Sequence, residues 1–359
     1  MWVLQICHCY YPPFLDCARQ YAVLFIGTRY KLLTVFLTGS PDPNVAMEVG
    51  YGEVVFLGYE SKEVAGLKLD AINRIRQLHQ QYRFQFCIAH RAKPTYVALL
   101  ATPIPIISIR HNYGDFKRLS RRLVVNLFQK RLHILAVSNS VRDEIRGHLS
   151  SWPAERIQTF YNHIDVDAVQ STQVSRQEAR HSLGLSQDVW IVGNVGRLHH
   201  DKDQATLIEA FARALPNLPA SALLVIIGKG PLENNLKQLA ADMGIQNQVK
   251  FMGQVPNAKK FFKAFDVFAL TSDHEPFGMV LLEAMAAEVP IVCSDCGGGC
   301  EVVRDAGLLF PFANIEILAD RLIYMAKTNL KEVVTKQNKK LLSNFTDRVA
   351  ATKFQDYIN

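Results

Sequence analysis

Two cations stand five residues apart in Gly193-Asn194-Val195-Gly196-Arg197-Leu198-His199-His200-Asp201-Lys202. The run follows the apolar segment Trp190–Val195, so Arg197 and Lys202 lie on a loop at a strand's carboxyl end. Two positive side chains there can clamp a diphosphate and neutralise charge building on a leaving phosphate. A second constellation is Glu275-Pro276-Phe277-Gly278-Met279-Val280-Leu281-Leu282-Glu283-Ala284-Met285-Ala286. Pro276 and Gly278 keep the chain out of regular helix, and the spacing predicts a helix from about Met279. The Phe277–Val280 amides then point out of its N-terminus, a geometry suited to an anion or to sugar hydroxyls, and Gly278 permits close backbone approach. A third is the glycine turn Ile227-Gly228-Lys229-Gly230-Pro231, which has neither dinucleotide nor Walker spacing. Each motif alone is also compatible with an ordinary strand–loop–helix connection, its charges forming surface ion pairs.

The elements that must carry these loops alternate. Short apolar runs at Trp190–Val195, Ala222–Ile227, Val249–Met252, Val267–Thr271, Pro290–Ser294 and Leu308–Phe310 are separated by helical spacing at Gln204–Leu215, Leu232–Met243, Ala258–Phe265 and Met279–Ala287. That alternation predicts βαβ units and a parallel sheet. The N-terminal half repeats it more faintly, with strands at Val3–Cys7, Leu33–Thr38, Val54–Leu57, Phe84–Ala89, Ile104–Ile109 and Ile134–Val137. Helical spacing falls there at Arg19–Phe25, Gly66–Gln80, Arg118–Lys130 and Val141–His148, the last with Ser140-x-x-Asp143 as its start signal. A chain of 359 residues calls for two domains. The expected division is an N-terminal acceptor-binding domain at 1–170, a polar linker at 171–188 and a C-terminal donor-binding domain at 189–340. Residues 341–359 are expected to pack back on the first domain.

Taken together and in order, Gly-Arg-Leu…Lys, Ile-Gly-Lys-Gly-Pro and Glu-x7-Glu within Glu-Ala-Met-Ala resemble the family 4 glycosyltransferases, most closely over 190–312. Asp266–Ser272 and Val289–Val292 fit the same pattern; Val137–Ser140, Tyr161–Asp165 and His111 match it more loosely. The resemblance implies an α/β, GT-B fold: two Rossmann-like parallel-sheet domains facing a cleft. It implies a retaining, metal-free transfer from a nucleotide sugar, UDP favoured as the base, to a glycan or glycolipid. Arg197 and Lys202 would then hold the diphosphate beside Gly196, and Glu283 the ribose. Glu275 with the Phe277–Val280 backbone would hold the sugar, Gly228 and Gly230 would line the nucleotide pocket, and His111 would face the sugar. The catalytic set is thus Glu275, His111, Arg197 and Lys202, with no resident cofactor and no metal. The family's N-terminal glycine pair is replaced by Pro12-Pro13-Phe14-Leu15-Asp16-Cys17, and a family glycine by Glu288.

Charge points to a partner for the first half. Residues 1–170 hold 20 Lys and Arg against 13 Asp and Glu, a net of +7, and residues 171–359 hold 20 against 20. The excess suits an anionic membrane surface or a phosphorylated glycolipid. In Lys117–Arg131, Leu119, Leu123, Val124, Leu127 and Phe128 form a stripe expected to face the core. Arg118, Arg121 and Arg122, with His90, are expected to meet the acceptor or membrane. No nucleic-acid module is evident. Cys293-x2-Cys296-x3-Cys300 has a spacing that could hold a metal, but no fourth ligand is in the run, and the loop reading is preferred. The start lacks a basic leader, and seven cysteines suit a reducing compartment. The expected placement is cytoplasmic, peripheral on the inner face of the inner membrane, in lipopolysaccharide-core synthesis. The competing readings are a GT-B nucleotide-sugar epimerase and a non-catalytic lipid-binding scaffold with a degenerate donor site.

Overall fold

A computed structural model describes residues 1–358. The chain divides into two compact units, residues 1–162 with 347–359, and residues 163–346.

The first unit carries seven strands: β1 (Trp2–Cys7), β2 (Lys31–Thr38), β3 (Glu53–Tyr59), β4 (Cys87–His90), β5 (Ile106–Arg110), β6 (Leu132–Ala136) and β7 (Ile157–Thr159). They form one parallel sheet in the order β3-β2-β1-β4-β5-β6-β7. The second carries β8 (Ile191–Val195), β9 (Leu223–Ile227), β10 (Val249–Gly253), β11 (Val267–Leu270), β12 (Ile291–Ser294) and β13 (Leu308–Phe310), in the order β10-β9-β8-β11-β12-β13. In both sheets the direction of winding reverses beside the first strand, between β1 and β4 and between β8 and β11. Loops leaving the strands at such a reversal diverge and open a crevice. The central strands are buried on both faces, which is why they read as unbroken apolar runs rather than alternating ones.

Four expectations change. The stretch 171–188 is no linker: Val166–Thr172 and Arg176–Ser182 are helices of the second unit. Its polarity is explained by Arg180, which is fully buried. Arg180 donates to the carbonyls of Ala264 (3.0 Å), Gln187 and Val189 (2.8 Å) and to Asp266 Oδ2 (2.9 Å). A segment that supplies one internal cation to bare carbonyls needs few apolar residues to be anchored. Asp165 caps the first of these helices through Ala168 N–H. The helix Asn139–His148 is capped by Ser138, whose hydroxyl accepts from Val141 N–H at 3.1 Å, not by Ser140. The helix Ala92–Ala101 was not among the expected elements; it is buried on nearly every side and so shows no polar face in the sequence.

The fourth change concerns the helix Leu119–Leu127. Leu119, Leu123 and Leu127 are 70, 66 and 81% exposed, while Val125 is buried. The arginines expected outside are drawn in: Arg121 Nη1 donates to Asp115 Oδ1 (3.0 Å), and Arg122 donates to the Phe116 carbonyl and lies against His148. Asp115 and the Phe116 carbonyl fix the rotation of the helix, and the leucine ridge turns outward in consequence. Arg118 stays exposed.

Candidate functional site

The two strongest sequence motifs meet at the reversal of the second sheet. Lys202 follows β8 and Glu275 follows β11, and the Lys202 ammonium donates to Glu275 Oε2 at 2.6 Å. Their side chains are 17 and 12% exposed, so the pair is largely, not wholly, removed from water. Thr271 Oγ1 donates to the Lys202 carbonyl (2.9 Å), and Ser272 Oγ to Glu275 Oε2 (3.3 Å). The loop after β8 is further tied down by Gln204, whose amide donates to the Arg197 carbonyl (3.0 Å), and by Asp203, which caps the helix Gln204–Ala214. A lysine ammonium has three hydrogens, so its bond to Glu275 still leaves it able to meet a phosphate.

Arg197 is the exposed member. Its side chain is 72% exposed and reaches Asp201 at 3.4 Å. Burial alone would raise the Asp201 carboxyl, but the His199 hydrogen bond and the charges of Lys202 and Arg197 bring it below its ordinary value. Asp201 therefore stays anionic and holds a guanidinium near Lys202 at little cost.

Gly278 stands at the N-cap of Met279–Ala286 with φ +90°, a conformation that favours glycine, and no side chain caps that helix. Phe277 is buried, edge-on to Phe345 at 5.8 Å, so only its backbone can serve a ligand. Met279, Val280 and Glu283 are partly exposed along the first turns. Gly228 and Gly230 have a steric reason to be glycines. A Cβ on Gly228 would strike the Gly196 carbonyl, and one on Gly230 the Leu198 carbonyl. The two loops are laced by Gly196 N–H to Ile227 O (2.9 Å) and Leu198 N–H to Lys229 O (3.0 Å). Gly196 itself has open space where a Cβ would stand, which permits close approach.

The segment Gly297–Gly299 was missed as part of the site. Gly298 N–H donates to the Glu275 carbonyl at 2.7 Å, and a Cβ on Gly299 would press on Glu275 at 3.3 Å. The signal was the triple glycine after a strand that neighbours β11; it was read only as the spacer of a cysteine run. Those thiols brace the same loop: Cys296 Sγ lies 3.1 Å from the Ser272 carbonyl and Cys300 Sγ 3.1 Å from that of Gly297. Burial raises the pKa of all three thiols. Glu288 adopts φ +59° just past the helix, where the family's glycine would be unstrained; Asn338 donates to its carboxylate at 3.1 Å.

In the first unit, His111 directly follows β5 and is buried. Its Nε2 lies 3.1 Å from His90 Nδ1 and its Nδ1 lies 3.6 Å from Cys17 Sγ. His90, expected to touch an acceptor, is only 2% exposed and lies beneath His111, with the rings stacked. It can act only through His111.

Both halves of the chain resemble known proteins. Residues 175–341 match the family model described as Glycosyl transferases group 1, and residues 31–168 match Glycosyltransferase Family 4. An uncharacterised glycosyltransferase of Methanocaldococcus jannaschii is 33% identical over 180 residues, 48% of this chain and 44% of that protein. The lipopolysaccharide core biosynthesis glycosyltransferase LpsE of Rhizobium meliloti is 36% identical over 139 residues, 38% of this chain and 39% of that one. These alignments thus span less than half the length of either relative. The crystal structure of Anabaena Alr3699/HepE in complex with UDP superposes with a TM-score of 0.81 over 100% of this chain and 99% of that one. At 20% identity it is a likeness of fold. The fold is that of the GT-B glycosyltransferases. Within that class the chain belongs to glycosyltransferase family 4.

Proposed function

We propose that the protein is a retaining, metal-independent glycosyltransferase that moves a sugar from a nucleotide diphosphate donor to a glycan or glycolipid. The observation that carries this reading is the Lys202–Glu275 pair at the reversal of the second sheet, with Arg197 beside it. A cation poised on a carboxylate suits a reaction in which negative charge grows on a departing diphosphate while a sugar is held alongside. Lys202 and Arg197 stabilise the leaving phosphate, Glu275 and the backbone opening the helix Met279–Ala286 orient the sugar, and Glu283 takes the ribose. The site presents no nucleophile–base pair of the kind double displacement uses, which favours a front-face reaction in which the leaving phosphate oxygen accepts the acceptor's proton. UDP is the favoured nucleotide, the HepE structure being a complex with UDP.

A thermal-shift panel of UDP, GDP, ADP, CDP and dTDP, with and without EDTA, tests this. One nucleotide at a hundred times its Kd should stabilise the protein by about 2.7 kcal/mol, and EDTA should leave the shift intact. No shift with any nucleotide would refute the donor site, and loss of the shift in EDTA would refute metal independence.

The acceptor belongs with a bacterial surface glycan, lipopolysaccharide core being the best fit by similarity to LpsE. The protein would work in the cytoplasm on the inner face of the inner membrane. Its contact there is the ridge of Leu119, Leu123 and Leu127, flanked by Lys117, Arg118 and Lys130. Each leucine inserted at an interface contributes about 1.5–3 kcal/mol, and the cations favour anionic lipid. The triple variant Leu119→Ser, Leu123→Ser, Leu127→Ser should co-sediment with phosphatidylglycerol vesicles at least about tenfold more weakly than the parent. Undiminished binding by the variant, or equal binding of the parent to phosphatidylcholine, would remove this surface from the reading.

A further inference from the structure

We propose that Gln5 and His90 are positioning residues that hold His111 as the neutral tautomer with its hydrogen on Nδ1. The ring then offers the reacting sugar a hydrogen-bond donor and never a base. The inference rests on the reading of His111 as a sugar-site residue.

The hydrogens run in one direction only. The Gln5 side-chain nitrogen lies 2.9 Å from the Ala18 carbonyl, which can only accept, so that atom is the amide NH2. Its second hydrogen is directed at His90 Nε2, 3.3 Å away, with a looser contact to Cys7 Sγ. His90 Nε2 is therefore an acceptor, and the hydrogen of the ring sits on Nδ1. A hydrogen on both nitrogens would set N–H against N–H. His90 Nδ1 donates in turn to His111 Nε2 at 3.1 Å, which leaves the His111 hydrogen on Nδ1, facing Cys17 Sγ at 3.6 Å.

Burial agrees with the geometry. Desolvation, with Arg91 adding to it, lowers the His90 pKa to about 3. Desolvation, then His90, Arg91 and Arg110, pushes His111 well below its ordinary value. Both rings are neutral at physiological pH, and a neutral ring has one hydrogen to place.

Packing keeps the relay in line. Gln5 lies on β1 and His90 ends β4, adjacent strands across the reversal of the first sheet. Tyr21 stands edge-on to His90 at 5.0 Å, and the two imidazoles stack at 5.4 Å. Cys17, in the stretch that lacks the family's glycine pair, supplies a soft sulfur that accepts the outward hydrogen weakly. A sugar hydroxyl is the stronger acceptor and would take its place.

The test compares His90→Asn with His90→Leu in the full chain. The asparagine amide nitrogen overlays histidine Nδ1 and keeps the donor to His111; leucine removes it. With 15N-labelled histidine, and His111→Gln to assign the signal, the wild-type His111 should show a protonated-type Nδ1 and an unprotonated-type Nε2. His90→Asn should keep that pattern. His90→Leu should move both signals towards an average of the two tautomers, with UDP affinity unchanged. A wild-type His111 protonated on Nε2 would overturn the proposal. So would a His90→Leu spectrum identical to wild type, or an asparagine variant whose signals move as far as those of the leucine variant. The spectrum reads the tautomer whether or not UDP binds, so failure of the donor site would be seen separately, in the nucleotide panel.

Discussion

Lys202→Ala is expected to lower kcat/KM for sugar transfer by about 10²–10³-fold, the usual cost of removing one preorganised group facing developing negative charge. The loss should lie mainly in kcat, because the charge on the diphosphate grows as the sugar departs. The same variant carries a structural cost. Glu275 would keep Ser272 as a hydrogen-bond donor but lose its counter-charge in a place only 12% exposed. Removing one partner of a buried pair is worse than removing both. Lys202→Ala with Glu275→Gln should therefore melt higher than Lys202→Ala alone, yet remain as inactive. Kinetics of the two variants against their melting curves separate the chemical role from the electrostatic one. If the double variant regains activity along with stability, Lys202 serves only to neutralise Glu275. Arg197→Ala should cost less, because Arg197 is 72% exposed and must be recruited from Asp201.

Gly228→Ala is expected to be among the most damaging single substitutions in the second unit. Gly228 has φ +146°, and its absent side chain is replaced by the Gly196 carbonyl, a backbone atom that cannot swing aside. Strain at such a position costs about 1–3 kcal/mol, and overpacking against fixed backbone adds a similar amount. The melting temperature should fall by about 5–15 °C for a unit of this size. Moving Gly196 also moves Arg197 and Leu198, so UDP affinity should fall even below the melting transition. Gly196→Ala is the control: nothing stands within 4 Å of its would-be Cβ, so its stability should stay near that of the parent. Equal melting temperatures for the two variants would show that the loops after β8 and β9 are not locked together as drawn.

The contrast between these glycines marks where the sequence stops being informative. Gly196, Gly228 and Gly230 read alike as members of glycine-rich loops. Only the packing of one loop on the other distinguishes two steric requirements from one open approach. A glycine records that a side chain is absent, and its neighbours in space record why.

Periodicity was enough for the strands that carry the site, because a strand buried on both faces must be apolar throughout. The fold class, two parallel-sheet domains, followed from that alternation. The placement of Arg197, Lys202, Glu275 and Gly278 on loops at strand ends followed from charge and glycine directly after apolar runs. Where polar residues do interior work, the pattern misled. Arg180 made an anchored segment read as a linker, and His90, expected to meet an acceptor or the membrane, is buried. Both are satisfied by partners distant in sequence: Ala264 and Asp266 for Arg180, Gln5 and His111 for His90. The leucine ridge shows the converse. An amphipathic stripe gives a helix two faces but does not say which one is turned inward; Asp115 and the Phe116 carbonyl decided that by drawing the arginines under.

The sequence by itself thus determined the elements and the charged and glycine-rich loops at their ends, since both depend on local composition. The tertiary structure alone decided which of those residues touch, which glycines are obligatory, and which side chains pack against His90 and His111. Those outcomes depend on contacts between strands that neighbour each other in the sheet and are distant in the chain.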